Sequence, residues 1–511
     1  MKKNSKLIFL ILLIFSIPSV IGLLHSGFPL TDDGNWMVIR LSSFYENLRD
    51  GQFPVRFLSR LNHGYGYPVA DFLYPGFMYI GSLIHVLGFS FANSIKIILG
   101  LSLILSAIFS FLWLRKIFDE IPAFIGSLIY LYFPYHLYDV YQRGSVGEVL
   151  TLAVLPFILW QLENKNIFLT SLGISILIIS HNSLALLLIP LIIFYFIFRH
   201  GRNIKSLLIP LFLGLGISAF FWIPAIFDQQ YTIFGKTQVS DFYFYFVDKI
   251  NLGLFGLIFV FIVLEGLFYL LRKKDQSFFY ILLIFVFIGF LTISYSAFLW
   301  KILPFENLIQ FPFRLLSLTI VFASFIAAYL LNKESKEKKY ILYVVFIVLI
   351  FFSAWPFLFP KSYQFLPDSF YSTNQDTTTV KNEYMPKWVK EIPTSMYVSK
   401  VVNIDGKEEV NIEKISPNKI IFQTFLSEKR TIAVNTIYFP GWTAYVNGKL
   451  SDIQYDNPSG IIQLSLEKGE NNVSISFKET PIRILSNLIS VMSFGSLFLL
   501  WYFVKYKKFK V

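Results

Sequence analysis

The fold is decided by one stretch of sequence, KLIFLILLIFSIPSVIGLLHSGFPLTDDGNW, which covers residues 6–36. Residues 6–24 are apolar and long enough to cross a bilayer as a helix. This run ends a few residues before the acidic pair Asp32-Asp33. Carboxylates so close to a bilayer are costly unless they bind or catalyse something. The junction therefore predicts a membrane helix followed by a functional site at the outer membrane surface.

The composition of the whole chain indicates a membrane protein. Of its 511 residues, 55% are hydrophobic and only 15% are charged, which is more apolar than soluble domains are. The net charge of +12 comes largely from Lys runs between apolar stretches, so it indicates membrane topology and not nucleic-acid binding. The chain has no cysteine, which excludes disulfides and zinc–thiolate sites. No small-x-small cleavage site closes the first apolar run, so we expect an uncleaved first span.

Twelve apolar segments are long enough to span the bilayer as helices. They lie near residues 6–24, 95–114, 122–138, 147–162, 166–182, 183–199, 205–224, 250–271, 277–296, 314–331, 340–358 and 482–504. A further apolar segment, Tyr74–Phe89, begins with a Pro-Gly turn, and charge decides whether it also spans. If it does not, the main Lys and Arg runs all fall on one side of the membrane. These runs lie at 2–6, 115–116, 199–205, 272–274, 333–339 and 505–510.

The positive-inside rule makes the side with these runs cytoplasmic. The sequence therefore predicts a multi-pass protein of the plasma membrane with twelve spans and both termini in the cytoplasm. Residues 74–89 then lie along the outer leaflet or dip into it. A membrane domain is predicted over 1–360, and its first outer loop, 25–94, is expected to carry interfacial helices.

A second region, residues 361–480, is polar and rich in Thr and Asn, and the predicted topology places it outside the cell. Runs of alternating polarity, with turn signals at Asn447-Gly448 and Lys468-Gly469, predict antiparallel strands. The fold class is therefore a polytopic α-helical membrane protein with a C-terminal, extracytoplasmic β-sandwich-like domain. A helix is predicted over Val380–Glu391, ahead of the strands. Residues 481–511 form the last span and a basic cytoplasmic tail.

The adjacent acids Asp32 and Asp33 are the first candidate site residues. One hypothesis is that they act as a catalytic base or as metal ligands. Carboxylate oxygens suit Mg²⁺ or Mn²⁺, and such an ion would neutralise a phosphate leaving group. The alternative is a helix N-cap, because a helix is predicted from Trp36 to Leu48 and acids favour the start of a helix.

The second outer loop concentrates charged and aromatic residues. From Tyr135 to Glu148 it holds His136, Asp139, Arg143 and three tyrosines. A guanidinium can hold a phosphate through two hydrogen bonds, which makes Arg143 a candidate phosphate ligand. An interfacial aromatic belt explains the tyrosines, but it does not explain Asp139, Arg143 and Glu148 together. We therefore predict that these three charged residues bind substrate.

Three further candidates follow along the chain. His181 lies at the outer end of a predicted span, where a binding role and a structural role at the helix end are both open. The loop 300–314 is apolar and contains prolines, and it also holds Glu306 and Arg314. This composition is typical of a re-entrant or lipid-binding loop. Arg314 is a candidate phosphate ligand, with snorkelling to the interface as the alternative.

Several motifs, in their order along the chain, resemble the membrane family described as 6-pyruvoyl-tetrahydropterin synthase-related. They are Phe53-Pro54, Gly64-Tyr65-Gly66-Tyr67-Pro68, the loop from Tyr135 to Glu148, and Phe221-Trp222-Ile223-Pro224-Ala225. The outer segment Tyr438–Gly448 resembles the C-terminal module of YfhO-like membrane proteins. The first span, the outer acid motif and the long first loop resemble the GT-C superfamily of integral membrane glycosyltransferases.

The GT-C resemblance implies an inverting glycosyltransferase that works at the outer face of the lipid bilayer. It implies a polyprenyl-phosphate-linked sugar as donor and a glycan, lipid or protein of the cell envelope as acceptor. Asp33, or its neighbour Asp32, would be the base that deprotonates the acceptor hydroxyl. The pterin label implies no activity, because soluble pterin synthases use a histidine–zinc site and this chain has no His cluster.

The resemblance also implies roles for the other candidates. Asp139 or Glu148 would serve as a metal ligand or a second acid, with Asp32 as the partner ligand, and Arg143 and Arg314 would hold the lipid phosphate. The acids of this chain are adjacent, whereas the family pattern is Asp-x-Asp. This departure leaves a requirement for Mg²⁺ or Mn²⁺ open.

Two other classes of function compete with a transferase. A non-catalytic envelope protein, such as a carrier of lipid-linked sugar, a flippase or an assembly scaffold, would use the same residues for binding alone. An ion-coupled transporter fits less well, because the polar residues concentrate outside the spans and not at the bilayer midplane. No nucleic-acid partner is expected.

Overall fold

The computed structural model describes residues 3–201, 204–236, 242–302, 309–404 and 408–507. Helices make up most of the chain as far as residue 354. They are α1 Lys3–Ser16, α2 Gly34–Arg49, α3 Val69–Phe72, α4 Gly76–Val86, α5 Phe91–Leu114, α6 Glu120–Tyr132, α7 Pro134–Tyr138, α8 Val146–Glu163, α9 Ile167–Ser180, α10 Asn182–His200, α11 Lys205–Ile217, α12 Ala219–Asp228, α13 Val247–Ile250, α14 Gly256–Lys273, α15 Gln276–Leu291, α16 Ala297–Ile302, α17 Leu316–Lys333 and α18 Lys336–Ala354. Two more follow, α19 Asp368–Thr373 and α20 Pro481–Lys507.

Fewer helices qualify as membrane spans than the twelve that the sequence predicts. Among the described residues, seven are long and apolar enough, or up to nine if each of two bent pairs is one span. The predicted spans 122–138 and 166–182 coincide with α6 and α9, which have 13 and 14 residues. Helices of that length rise about 20 Å, whereas the hydrocarbon core is about 30 Å thick. α6 stops early because Pro134 starts a new helix.

Two further details concern the length of α4 and the bending of two helix pairs. α4 has 11 residues, so it rises about 16 Å and is too short to cross a bilayer, as predicted for residues 74–89. The helix pair 206–217 and 219–231 bends by 66°, and the pair 276–291 and 294–302 bends by 92°. Arg314 follows the second bent pair in the chain and lies in the short 3-10 helix Pro312–Leu315.

The C-terminal region folds into antiparallel β-sheets, as the sequence predicts. One short strand, β1 Phe28–Pro29, precedes this region in the chain. The strands that follow are β2 Tyr363–Gln364, β3 Val401–Asn403, β4 Val410–Ser416, β5 Lys419–Leu426, β6 Arg430–Ile437, β7 Trp442–Val446, β8 Lys449–Ser451, β9 Ile461–Leu466 and β10 Gly469–Phe477. One sheet has the order β4-β5-β10-β7-β8, another β3-β6-β9, and β1 pairs with β2. Alternate residues of β9 are buried, which matches the period of a strand with one face on a core.

The prediction of a helix over Val380–Glu391 is wrong. This segment consists of turns, and part of it is extended and pairs with residues after α12. The Ile233 N–H donates to the Met385 carbonyl at 3.0 Å, and the Lys387 N–H donates to the Tyr231 carbonyl at 2.9 Å. Pro386 lacks an N–H and restricts its neighbour, so it disfavours a helix at this point.

We call the sheets formed by β3 to β10 the β-region. The first outer loop contributes to the core of this region. Phe57 lies 5.6 Å from Trp442 and 5.5 Å from Phe477, measured between ring centroids, and it is fully buried. The Ile437 N–H donates to the Tyr65 carbonyl at 2.8 Å. These contacts join the sheets to the same loop that carries the acid pair.

Candidate active site

The acid pair lies in a turn whose backbone is fixed by the second outer loop. The Asp32 N–H donates to the Gln142 carbonyl at 3.0 Å, and the Asp33 N–H donates to the Arg143 carbonyl at 2.8 Å. Gly144 has φ +68°, and a Cβ at this position would lie 2.3 Å from the hydroxyl of Thr31. Only glycine allows the two loops to approach so closely.

Asp33 occupies the N-cap position of α2, but its carboxylate does not cap the helix. The hydroxyl of Thr31 does so instead, because it accepts a hydrogen bond from the Gly34 N–H at 3.1 Å. A side chain usually occupies the N-cap position because its oxygen accepts such a bond. With that role taken by Thr31, the Asp33 carboxylate is available for another partner.

Four charged residues form a buried group that we call the cavity-floor cluster: Asp139, Arg143, Glu148 and Arg314. A guanidinium nitrogen of Arg143 lies 2.6 Å from Asp139 and 2.9 Å from Glu148. Arg314 lies 2.9 Å from the other oxygen of Glu148. The Tyr135 hydroxyl also donates to Glu148, at 3.0 Å. All four charged side chains are at most 8% exposed.

A cavity of about 310 Å³, partly open to solvent, adjoins this cluster. Asp33, His181 and Arg314 line it, together with Gln310 from the loop before Arg314. The other walls come from α2, from residues 73–74 and from the outer segment 379–384. Further lining residues are Trp36, Met37, Arg40, Leu73, Tyr74, Asn182, Ser183, Phe234, Tyr245, Phe311, Thr379, Val380, Lys381, Glu383 and Tyr384.

The sequence-predicted residues thus separate into two groups. Asp33, His181 and Arg314 reach the cavity, whereas the others that are described lie behind or beside it. Those others are Asp32, Asp139, Arg143 and Glu148. Glu306 falls outside the described residues. Arg143, predicted as a phosphate ligand, is 6% exposed, forms ion pairs with two carboxylates and is not among the described residues that line the cavity.

His181 has the structural role that the sequence left open, and its side chain also lines the cavity. Its Nδ1 accepts a hydrogen bond from the Leu184 N–H at 3.2 Å, so it caps the start of α10. Its ring stacks on Tyr74 with centroids 4.5 Å apart, and its Nε2 lies 3.7 Å from Glu148. The helix cap fixes the ring, and the ring forms part of the cavity wall.

The two acids differ in their electrostatic environment. Partial burial, together with the negative charge of Asp33, raises the pKa of Asp32 above its ordinary value, although Arg143 and Lys361 act in the opposite direction. Ionisation of both acids at once is therefore disfavoured. Since Asp33 is the acid that lines the cavity, it is the better placed of the two to meet a substrate.

Sequence reasoning missed Arg40 and the segment that it anchors at the cavity wall. Arg40 of α2 is 5% exposed, and it donates to the hydroxyl of Thr378 at 2.9 Å and to the carbonyl of the same residue. This anchors the segment that carries Lys381 and Glu383 into the cavity wall. The signal was present in the sequence as a cation inside an otherwise apolar stretch of α2, Met37 to Leu41. Its partner lies more than 300 residues away, at a distance that no local pattern reveals.

In the described part of the chain, no three His, Cys, Asp or Glu side chains are grouped so that they could hold a metal ion. Asp139, the predicted partner of Asp32, is fully buried and pairs with Arg143. Mg²⁺ takes six oxygen ligands in an octahedral shell. The involvement of Mg²⁺ or Mn²⁺ stays a prediction.

Fold and site define a multi-pass membrane protein with an acid- and arginine-lined cavity between its helices and its β-region. Residues 73–359 match the model of a membrane-protein family described as 6-pyruvoyl-tetrahydropterin synthase related domain, and the chain belongs to this family. This confirms the family resemblance seen in the sequence. No protein of curated function matches the chain.

The chain also shows a low similarity to several solved structures. ArnT from Cupriavidus metallidurans, bound to undecaprenyl phosphate, has 13% identity and a TM-score of 0.45, covering 73% of this chain and 68% of ArnT. The oligosaccharyltransferase of Archaeoglobus fulgidus has 12% identity and a TM-score of 0.43, covering 74% and 57%. The mycobacterial arabinofuranosyltransferase AftD has 14% identity and a TM-score of 0.46, covering 71% and 27%. At such scores the activity has to be argued from the site itself.

Proposed function

We propose that this protein is a membrane glycosyltransferase that moves a sugar from a polyprenyl-phosphate donor to an acceptor of the cell envelope. The observation that carries the proposal is the cavity shared by Asp33 and Arg314. One side chain can accept a proton and the other can hold a phosphate, and a sugar transfer from a lipid phosphate needs both.

We also propose the topology that the distribution of Lys and Arg predicts. Twelve spans place both termini in the cytoplasm and residues 361–480 outside, with a membrane domain over 1–360 and a last span in 481–511. The cavity then opens at the outer face, where lipid-linked sugars meet their acceptors. The shortest proposed spans, α6 and α9, require a locally thin bilayer or packing against longer neighbours.

In the proposed reaction, the acceptor hydroxyl attacks the anomeric carbon of the donor sugar while Asp33 takes its proton. A new C–O bond forms to the acceptor, and the C–O bond to the lipid phosphate breaks. The bond electrons leave with the polyprenyl phosphate, whose added negative charge Arg314 stabilises. Because this is a single displacement from the opposite side of the ring, the anomeric configuration inverts.

The buried members of the cavity-floor cluster act as positioning residues in this scheme. Glu148 accepts from Arg314 at 2.9 Å and so fixes the direction of its guanidinium. Arg143 and Tyr135 hold Glu148 in turn. The carbonyl of Ile309 accepts a further hydrogen bond from Arg314, at 2.8 Å. A guanidinium held in this way needs no reorganisation when charge develops on the leaving phosphate.

The test is sugar transfer by the purified full-length protein in lipid nanodiscs. Labelled polyprenyl-phosphate hexoses serve as donors and host envelope extract as acceptor, with and without EDTA. We compare the wild type with Asp33→Asn, with Asp32→Asn, and with Asp376→Asn, which changes an exposed outer carboxylate. Loss of a general base lowers the rate by about 10²- to 10⁴-fold.

The expected result is a loss of transfer in Asp33→Asn alone. Equal transfer by all four proteins would refute the role of the acid pair. If the wild type binds the donor lipid without transferring sugar, the protein is a carrier or scaffold and the proposal fails. Loss of transfer in EDTA, restored by Mg²⁺ or Mn²⁺, would show that the donor phosphate brings a metal to the site.

A further inference from the structure

A row of six aromatic side chains leads from the cavity wall onto the β-region, and we call it the aromatic track. Its members are Phe234, Tyr384, Tyr231, Trp388, Tyr438 and Tyr455. Phe234 and Tyr384 line the cavity and stack on each other, with centroids 5.5 Å apart and planes at 9°. Tyr438 and Tyr455 stack at the far end, 4.1 Å apart and also at 9°.

Trp388, in the middle of the track, contacts Tyr231 and the second stacked pair, and the backbone links it to the first pair. The ring of Trp388 lies 6.3 Å from Tyr231, 5.7 Å from Tyr438 and 5.1 Å from Tyr455. Tyr231 and Phe234 belong to one short segment, and Tyr384 and Trp388 belong to another. The two segments pair through the hydrogen bonds between residues 231–233 and 385–387 described above. The backbone therefore fixes the spacing of the rings.

Tyr231, Tyr384, Trp388 and Tyr438 pack against the hydrophobic core, and none of the six rings is fully exposed. All six are half-buried, so each shows part of its surface to solvent. The indole N–H of Trp388 donates to the Tyr438 carbonyl at 3.1 Å, which locks the orientation of the largest ring. Lys390 and Asp456 edge the far end as a charged pair 3.5 Å apart, with side chains 71% and 96% exposed.

These features match a carbohydrate better than an apolar partner. A sugar ring has faces of C–H groups that pack on aromatic rings, and its edges carry hydroxyls that need polar neighbours. Tyr and Trp suit such a surface, because each combines an apolar face with a polar group. A hydrophobic protein partner would require a broader apolar patch than a single row of half-buried rings.

We propose that the aromatic track is a glycan-binding site that receives an extended oligosaccharide or polysaccharide and leads its end towards Asp33. That this glycan is the acceptor rests on the proposed function, whereas its binding to the track does not. The site has several subsites in a row, so affinity increases with the number of sugar units until the track is filled.

Direct binding tests this proposal without any transfer reaction. The full-length protein in nanodiscs is applied to a printed array of hexose, hexosamine, pentose and uronic-acid oligosaccharides of two to eight units. The best ligand is then titrated by calorimetry against the wild type, Trp388→Ala and Tyr455→Ala. Tyr445→Ala is the matched control, because Tyr445 is a half-buried tyrosine of the same region outside the track, with Lys478 4.7 Å from its ring centroid.

We expect binding that strengthens with chain length and falls about tenfold in each track variant, which is about 1.4 kcal/mol. Tyr445→Ala should bind like the wild type. The absence of binding to every sugar class, or equal binding by Tyr455→Ala and the wild type, would overturn the track. Glycan binding without sugar transfer would support the aromatic track and refute the proposed transferase. Sugar transfer without glycan binding would support the transferase and refute the track. If Trp388→Ala does not fold, Tyr455→Ala at the exposed end still decides.

Discussion

Two buried clusters of charge invite comparison. The cavity-floor cluster has a counterpart, the junction cluster, formed by Arg56, Asp71, Asp228 and Arg483. Arg483 lies 2.8 Å from Asp228 and 3.2 Å from Asp71, and Arg56 lies 3.4 Å from Asp71. Each cluster pairs two arginines with two carboxylates, and the four junction side chains are at most 2% exposed.

The clusters differ in what they touch. Arg314 of the cavity-floor cluster reaches the cavity, whereas no junction residue is among the described residues that line it. The junction cluster instead joins the first outer loop, the end of α12 and the start of α20. Arg483 also donates to the Pro440 carbonyl of the β-region at 2.9 Å. Burial of charge alone therefore does not identify a functional site, and access to a cavity is the additional criterion.

Breaking the junction cluster should produce the largest loss of stability. Arg483→Met leaves Asp71 and Asp228 buried without their shared cation. Removing one partner of a buried ion pair costs about 3–5 kcal/mol. We expect a strongly lowered melting temperature in nanodiscs and reduced yield of folded protein. A melting curve that coincides with that of the wild type would show that this cluster does not hold the β-region to the helices.

A matched pair of conservative variants tests the difference between the clusters directly. Arg314→Lys and Arg483→Lys both keep a positive charge and lose the planar guanidinium. We expect Arg314→Lys to lower kcat/KM for sugar transfer by about 10²-fold, because the phosphate and Glu148 can no longer be held together. Arg483→Lys should lower the melting temperature and leave kcat/KM of the folded fraction near that of the wild type. The reverse pattern would show that the junction cluster, and not the cavity-floor cluster, serves the reaction.

The two clusters also show what the sequence can predict. Asp139, Arg143 and Glu148 lie within one short loop, so their combination stands out as a pattern. The contact of Glu148 with Arg314 joins residues 166 positions apart, and that of Asp71 with Arg483 joins residues 412 positions apart. Such pairs are set by how helices and sheets pack, and no local spacing encodes them. The junction cluster was therefore missed.

The acid pair shows a similar limit at short range. The sequence indicates that Asp32 and Asp33 are functional candidates, but it does not show which one faces the cavity. That choice depends on Thr31, which takes over the helix cap, and on the loop at Gln142 that fixes the turn. The strands, in contrast, were predictable because their alternating burial is a property of neighbouring residues.

A buried lysine, Lys400, is held by backbone carbonyl groups, whereas the arginines of both clusters are held by carboxylates. It is 8% exposed, and its ammonium donates to the carbonyls of Gly64 at 2.8 Å and Asn435 at 2.7 Å. Burial lowers the pKa of Lys400 to about 7. Between about pH 7 and the ordinary lysine value of about 10.4, the unfolded chain keeps a proton that the folded chain has lost. Stability therefore rises with pH across this window, by at most about 1.4 kcal/mol per pH unit.

The measurement is the melting temperature against pH for the wild type and Lys400→Met. The difference between the two curves should change from pH 7 to pH 10, with the wild type gaining, and should be constant below pH 7. Parallel curves over the whole range would mean that Lys400 keeps its proton and that two carbonyls suffice for a buried ammonium.

The smallest expected effect concerns Asp32, the acid beside the cavity. Its raised pKa means that the folded protein binds this proton more tightly than the unfolded chain does. The sign is opposite to that of an ion-paired carboxylate, so stability is lost as pH rises from about 3.9 through the folded pKa. Asp32→Asn removes the ionisable group and should melt slightly above the wild type at pH 7, with no difference below about pH 4. A variant that melts lower at pH 7 would show that the Asp32 charge is stabilised by Arg143 and Lys361 more strongly than burial and Asp33 oppose it.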